Sequence, residues 1–312
     1  MSEERAQSTG VRTLRLGTRR SLMATSQSQL VADRLTELTG RPVELVGVTT
    51  FGDVTKAHLA QLGGTGVFVS ALRDKLIEGE IDFAVHSLKD LPTKPDPRVV
   101  IAAIPPRDDP RDALVGAAKF DDLAPGAKVG TGSPRRVAQL RALRPDLDYV
   151  AIRGNADTRI GKVTSGELAA VVLAAAGLGR IGREAEIAQV FDVTEMLPAP
   201  GQGALAVECR ADDAEMIELL GVMDDARTRA AVDAERAVLA ALEAGCSAPV
   251  GAYAVDDGHI LNLTAAVVAF DGTRSVRKST AGEPSAAMEL GRELATAMIA
   301  EGAGTLMGER TH

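Results

Sequence analysis

Residues 13–48, TLRLGTRRSLMATSQSQLVADRLTELTGRPVELVGV, decide the reading of the fold. TLRLG at 13–17 alternates apolar and polar positions as a strand does, and Ser21 can cap a helix carrying Leu22, Met23, Leu30, Leu35 and Leu38 before Gly40 stops it. VELVGV at 43–48 is then a second strand. A Gly-rich loop, GDVTKAHLAQLGGTG, leads to a helix from about Phe68 that buries Val69, Leu72 and Leu76 and ends near Gly79. The strand IDFAV at 81–85 follows. This βαβαβ order predicts an α/β fold with parallel strands, right-handed crossovers and ligands gathered beyond the carboxyl ends of the strands.

Two Pro-rich segments, IPPRDDPRD at 104–112 and LPAPGQG at 197–203, bracket about ninety residues that again alternate strand and helix. They predict an inserted second lobe joined to the first by two crossing chains, which is the arrangement of a hinged cleft. Beyond them, a helix carrying Ala231, Val232, Ala234, Val238, Leu239 and Leu242 precedes a loop with Cys246. Three strands around DDG and FDG turns and a final helix over 283–301 make a small α+β unit. The expected divisions are a loose tail over 1–12, a first lobe over 13–104 and 200–222, a second over 105–199, and the C-terminal unit over 223–312.

The chain has 312 residues, 45% hydrophobic, with no Trp, two Tyr and six Phe, so its cores must be built from Ala, Val, Leu and Ile. A net charge of −8 and scarce aromatic surface argue against a polynucleotide partner. MSEERAQSTGVR lacks an apolar centre and reads as a tail, not a secretory signal, and the near-apolar run over 168–179 is too short to span a bilayer. The expectation is a cytoplasmic protein without membrane contact. Two cysteines, Cys209 and Cys246, make no disulfide framework, and four scattered His offer no metal-ligand spacing.

Charge is concentrated in one place. GTGSPRR at 130–136 and RGNADTR at 153–159 set four arginines beside glycine turns, and residues 130–160 hold six Arg, no Lys, three Asp and no Glu, a local +3. A planar guanidinium matches a carboxylate bidentately, so this choice of cation points to anion recognition. Ser133 and Pro134 suit the cap and first position of a helix running to Arg144. The helix dipole disfavours Arg135 and Arg136 in its first turn, which makes sense if an anion shares that space. A solvated helix face suits Arg141 and Arg144 well but suits the turn arginines poorly.

AVHSLKDLP at 84–92 leaves a strand with His86, Ser87, Lys89 and Asp90 where ligands gather. Lys89 and Asp90 could be a plain surface ion pair, but the strand exit favours a functional role, with an ionised Asp90 able to stabilise a cation or accept a proton. Cys209, in ALAVECR, reads as a small buried hydrophobe. Cys246, in LEAGCSAPVGAY, has small neighbours that leave its sulfur accessible, and no His within ten residues supports a Cys-His hydrolase.

Taken in order, AVHSLKD, DDPRDAL, GTGSPRR, IRGNADTR, LPAPGQGALAVECR and LEAGCSAPVGAY resemble the porphobilinogen deaminase (hydroxymethylbilane synthase) family from about Thr13 to the end of the C-terminal unit. The resemblance implies two lobes similar to type II periplasmic binding proteins and a third domain carrying a covalent dipyrromethane cofactor on Cys246. It implies a transferase of porphyrin and heme biosynthesis, a monomer whose small-molecule substrate is porphobilinogen. Four porphobilinogen molecules join head to tail, ammonia leaves at each condensation, and hydrolysis frees the linear tetrapyrrole. Each pyrrole brings an acetate and a propionate, which explains an Arg-rich cleft in an acidic protein.

By the same resemblance Ser87, Lys89, Ser133, Arg135 and Arg136 hold cofactor carboxylates, while Arg19, Arg153, Arg159 and Arg180 handle substrate or the growing chain. Asp90 faces the pyrrole N–H groups, where its carboxylate stabilises the charge created by ammonia loss and serves proton transfer. Cys246 is then an anchor and not a turnover nucleophile. No metal is implied. The chain departs from the family pattern at Phe51, where many members have Arg, and at Thr65 and Ser70, where many have Lys, and Leu22 replaces a common Pro. Two other readings fit parts of the chain: a non-catalytic anion-binding protein, which leaves Cys246 unexplained, and an impaired relative that keeps the cofactor without elongating it.

Overall fold

The computed structural model describes residues 12–48, 66–245 and 248–308; Phe51, Thr65 and Cys246 lie outside them. The chain begins with β1 (Leu14–Thr18), α1 (Leu22–Thr39), β2 (Val43–Gly47), α2 (Gly66–Ile77), β3 (Phe83–Ser87) and β4 (Val99–Ala103). It continues with β5 (Asp112–Gly116), β6 (Lys128–Gly130), α3 (Pro134–Leu143), β7 (Asp148–Val150), α4 (Ala156–Thr164), β8 (Ala170–Ala174), α5 (Ala175–Arg180) and β9 (Ile187–Val190). β10 (Leu205–Arg210), α6 (Ala214–Gly221), α7 (Ala226–Ala241), β11 (Val250–Asp256), β12 (Leu261–Val268), β13 (Ser275–Gly282), α8 (Ala287–Ala300) and α9 (Ala303–Leu306) complete it.

Two five-stranded sheets share one plan. The first runs β2-β1-β3-β10-β4 and the second β7-β6-β8-β5-β9. In each, three parallel strands in the order 2-1-3 are followed by a fourth, antiparallel strand that arrives from the other lobe. β5 carries the chain into the second sheet and β10 returns it to the first. This exchange of strands makes the pair a two-lobed fold of the type II periplasmic-binding-protein kind, as the resemblance implies. A third, antiparallel sheet β11-β12-β13 packs on α7 and α8 as the small C-terminal domain.

The local reading of the opening stretch holds with two corrections. Ser21 caps α1 by accepting from Ala24 N–H, and Gly40 ends it at φ 69°. Of the five apolar positions proposed for that helix, however, only Leu35 is fully buried; Leu22, Leu30 and Leu38 are exposed. The inward face is instead Gln27, Ser28, Val31, Ala32 and Leu35, because this end of the helix meets the polar exit of β3, where Gln27 pairs with Ser87. β3 begins two residues later than the run IDFAV suggests, since Ile81 packs under α2 with Leu72 and Leu76 before the ladder starts. Val69, Leu72 and Leu76 are buried as expected.

The crossing segments run against each other at close quarters. Asp108 N–H donates to Gly203 O (3.2 Å), and Gly203 sits at φ 87° where a Cβ would lie 2.6 Å from Asp108 O. Only glycine meets both demands. The C-terminal domain braces this junction. Glu235 of α7, fully buried, receives both arms of Arg107 (2.6 and 3.1 Å) and the N–H groups of Gly201 (2.7 Å) and Ala254 (2.8 Å). One carboxylate therefore joins both crossing segments to the third sheet.

Candidate active site

The described residues expected to bind cofactor or substrate lie at or follow the carboxyl ends of parallel strands. Arg19 follows β1; Ser87, Lys89 and Asp90 end or follow β3; Ser133, Arg135 and Arg136 follow β6; Arg153 and Arg159 follow β7; Arg180 closes the helix after β8. In an open α/β sheet these ends form the crevice where ligands bind, because the crossover helices leave it uncovered.

At the exit of β3 the backbone turns through a single 3-10 turn over Leu88–Asp90. Leu88 and Leu91 are buried against Val69, Ile104, Ala204 and Val232, which fixes the turn from beneath. Arg236 of α7 clamps it from the side, donating to the carbonyls of Leu88 (3.3 Å), Leu91 (3.0 Å) and Pro92 (2.8 Å). Ser87, Lys89 and Asp90 are held half-buried on this rigid corner. Ser87 exchanges hydrogen bonds with Gln27 (3.0 Å), and Lys89 Nζ donates to Gln202 Oε1 (3.1 Å). The Asp90 carboxylate accepts no hydrogen bond from the described residues. Burial, then the nearby Arg136, lowers the Lys89 ammonium from its usual value to about 8, against the opposing pull of Asp90 and Asp112.

In the second lobe Ser133 caps α3, accepting from Arg136 N–H (3.5 Å), with Pro134 at the first position. Gly132 lets this turn press on the exit of β7: a Cβ there would stand 2.6 Å from Ile152 O. Arg135 and Arg136 do not project into solvent. They are 3% and 6% exposed, and both bind Asp112, which is fully buried, through Arg135 Nη1 (2.7 Å) and Arg136 Nε (2.9 Å). Arg135 also reaches Leu197 O (2.6 Å) and Arg136 reaches Val172 O (2.9 Å). The anion that makes two cations tolerable at a helix start is thus supplied by the chain itself. Two guanidiniums against one carboxylate still leave a positive excess, and Arg135 Nε is buried without a hydrogen-bond partner.

The remaining arginines divide by engagement. Arg180 is tied to Asp108 (2.8 Å) and Gly203 O (2.6 Å), so it belongs to the crossing junction as much as to the crevice. Arg159 is half-buried, donates to Gly154 O (2.8 Å), and is lowered from its ordinary value by burial. Arg153 is exposed and has no hydrogen bond or ion pair among the described residues. Arg19 is half-buried where β1 ends. Arg144, read as a surface residue, instead clasps the 120–123 loop through three carbonyls and pairs with Asp146, while Arg141 reaches Phe270 O (2.9 Å) in the C-terminal domain. Ser70 lies exposed on α2.

Sequence reasoning missed Asp112, Gln202, Arg107, Glu235 and the buried pair Arg73–Glu208, in which Arg73 grips Glu208 (2.7 Å); His86, noted at the strand exit, is buried with its Nε2 3.4 Å from Glu208. A signal existed for two of them: Asp112 opens an otherwise apolar strand, and Glu235 falls on the face shared by Ala231, Val238 and Leu242. Cys209 is fully buried, and burial raises its thiol to about 11, so it is inert packing. Among the described residues no cluster of His, Cys, Asp and Glu is placed to hold a metal, and no helix is long and apolar enough to cross a membrane.

Comparison with known proteins decides the family. The model described as porphobilinogen deaminase, dipyromethane cofactor binding domain, matches residues 14–218, and that of the porphobilinogen deaminase C-terminal domain matches 229–300. The chain belongs to the porphobilinogen deaminase family. A porphobilinogen deaminase of Thermobifida fusca is 62% identical over 307 residues, covering 95% of this chain and 96% of its own. Porphobilinogen deaminase 1 of Streptomyces coelicolor is 58% identical over 312 residues, covering 95% and 98%. Among solved structures, the methionine binding protein MetQ overlaps 68% of this chain and 89% of its own, with a TM-score of 0.44 and 13% identity.

Proposed function

We propose that this porphobilinogen deaminase family member is an active hydroxymethylbilane synthase, joining four porphobilinogen molecules head to tail with loss of ammonia and releasing the linear tetrapyrrole by hydrolysis. The single observation that carries this reading is the corner at the exit of β3. There Asp90, free of any hydrogen-bond partner among the described residues, stands beside a Lys89 held by Gln202. An anion-binding protein needs the cations but gains nothing from a carboxylate among them. A reaction that develops positive charge on a pyrrole does.

The residues present fit a dipyrromethane group. Its carboxylates require donors, and the crevice offers Lys89, Ser87, Ser133 and the cationic excess of the Arg135–Asp112–Arg136 cluster, including the unsatisfied Arg135 Nε. Because both arginines are already committed to Asp112, their contribution is chiefly a positive field, while Lys89 and the serines make the direct contacts. Cys246 would anchor the group through a thioether; when bound, it supplies the primer end to which new units are added. Arg153 and Arg19, at the ends of β7 and β1, would meet the acetate and propionate of incoming porphobilinogen, with Arg159 and Arg180 behind them.

Asp90 would face the pyrrole N–H of porphobilinogen as ammonia leaves, stabilising the developing cation in a partly dehydrated site and taking the proton displaced from the carbon that forms the new bond. Attachment at one cysteine holds the growing end at high effective concentration. We read residues 13–104 with 200–222 and 105–199 as the two lobes, hinged at the crossing segments, 223–312 as the domain presenting Cys246, and the enzyme as a cytoplasmic monomer. Incubation with porphobilinogen, followed by acidification and oxidation, should yield uroporphyrin. A modified protein that gives no porphyrin would instead mark an impaired relative.

A further inference from the structure

We propose that Gln202 is a positioning residue for this reaction, orienting the Lys89 ammonium of one lobe and coupling it to the Asp112 carboxylate of the other. The inference rests on the reading above, in which Lys89 meets pyrrole carboxylates, but its geometry stands independently. Gln202 is 1% exposed. Its Nε2 donates to Pro110 O (2.7 Å) and to Asp112 Oδ1 (2.9 Å), and its Oε1 accepts from Lys89 Nζ (3.1 Å). Both donors are used, so the amide has only one workable orientation: turned over, it would aim N–H at an ammonium and oxygen at a carboxylate. The backbone is fixed as well, with Gln202 O accepting from Arg107 Nε (2.8 Å) and Gln202 N–H donating to Ala199 O (2.8 Å).

The resulting relay runs from the exit of β3 through the returning crossing segment to the first residue of β5, and through Asp112 to Arg135 and Arg136 on α3. It joins the cationic groups of the two lobes through one neutral side chain. The charges facing Lys89 are Arg136 and Arg135 from α3, Asp112 from β5 and Asp90 from its own turn. Burial and Arg136 work against its charged form, which makes the amide oxygen a direct support for the ammonium.

Two substitutions separate the roles of the amide: Gln202→Met keeps the volume and removes every hydrogen bond, and Gln202→Glu keeps an acceptor for Lys89 but loses the donors to Asp112. The measurement is the pH dependence of Lys89 acylation in the intact holoenzyme, read by peptide mass spectrometry, with the pH profile of kcat alongside. Gln202→Met should lower the Lys89 midpoint by roughly one pH unit relative to the wild-type holoenzyme. The alkaline limb of kcat should move by the same amount. Gln202→Glu should raise the midpoint above wild type. An unchanged midpoint in either folded variant overturns the proposal, and if Gln202→Met does not fold the Glu variant decides it. A wild-type protein that makes no tetrapyrrole would sink the functional reading while leaving the acylation midpoints to judge this one.

Discussion

Replacing Asp112 with alanine should destabilise the protein by about 3–5 kcal/mol, the usual cost of stripping the partner from a buried charge. Asp112 is fully buried and takes hydrogen bonds from Arg135, Arg136 and Gln202, so its loss strands two guanidiniums at the start of α3, where the helix dipole also opposes them. Equilibrium urea unfolding reads the change; a loss below about 1 kcal/mol would show that the arginines find other partners. Asp112→Asn, which keeps the shape and loses the charge, should recover only part of the stability. The pH dependence has a definite sign. Burial opposes ionisation of Asp112, yet Arg135 and Arg136 outweigh it and hold the carboxyl well below the ordinary carboxylate range. The stabilisation is therefore complete above the unfolded-state value of about 4 and disappears as pH falls through the depressed folded-state value. Wild type should lose stability on acidification through that window, and the alanine variant should lose less.

Asp90→Asn should lower kcat by about 10²–10⁴-fold with the melting temperature unchanged. The side chain is half-buried on a turn held by Leu88, Leu91 and Arg236, and its carboxylate accepts no hydrogen bond from the described residues, so no hydrogen bond among them depends on it. An amide fills the same volume but neither balances a pyrrole cation nor takes a proton. Single-turnover measurement with porphobilinogen isolates the chemical step from product release. Retention of most of the activity would remove Asp90 from the mechanism.

The parallel-strand frame was legible because its signals are local. Leu14 and Leu16 alternate inward on β1, Ser21 and Ser133 are unambiguous caps, and Gly40 needs a left-handed φ. The exit of β3 followed from that frame, and with it the place of Ser87, Lys89 and Asp90, while Ser133 was legible as a helix cap. Two features were not legible. The antiparallel fourth strand of each sheet pairs residues far apart in sequence, as Cys209 with Phe83, and no local pattern announces that partner. The inward face of α1 was misread because its neighbours at the crevice are polar, which puts Gln27 and Ser28 inside and leaves Leu22 and Leu30 outside. The arginine turns show how a correct inference can have an unexpected object: an anion does share the first turn of α3, and it is Asp112. Its contact with Arg135 and Arg136 depends on the crossing of β5 into the second sheet.

The central claim is that an oligopyrrole tethered at Cys246 lies against this cationic crevice, and the intact mass of the purified protein tests it most directly. Wild type should carry an addition equal to two linked pyrrole units, absent from Cys246→Ser, and brief exposure to porphobilinogen should add further units singly. A wild-type protein of unmodified mass that nevertheless produces hydroxymethylbilane would contradict the account.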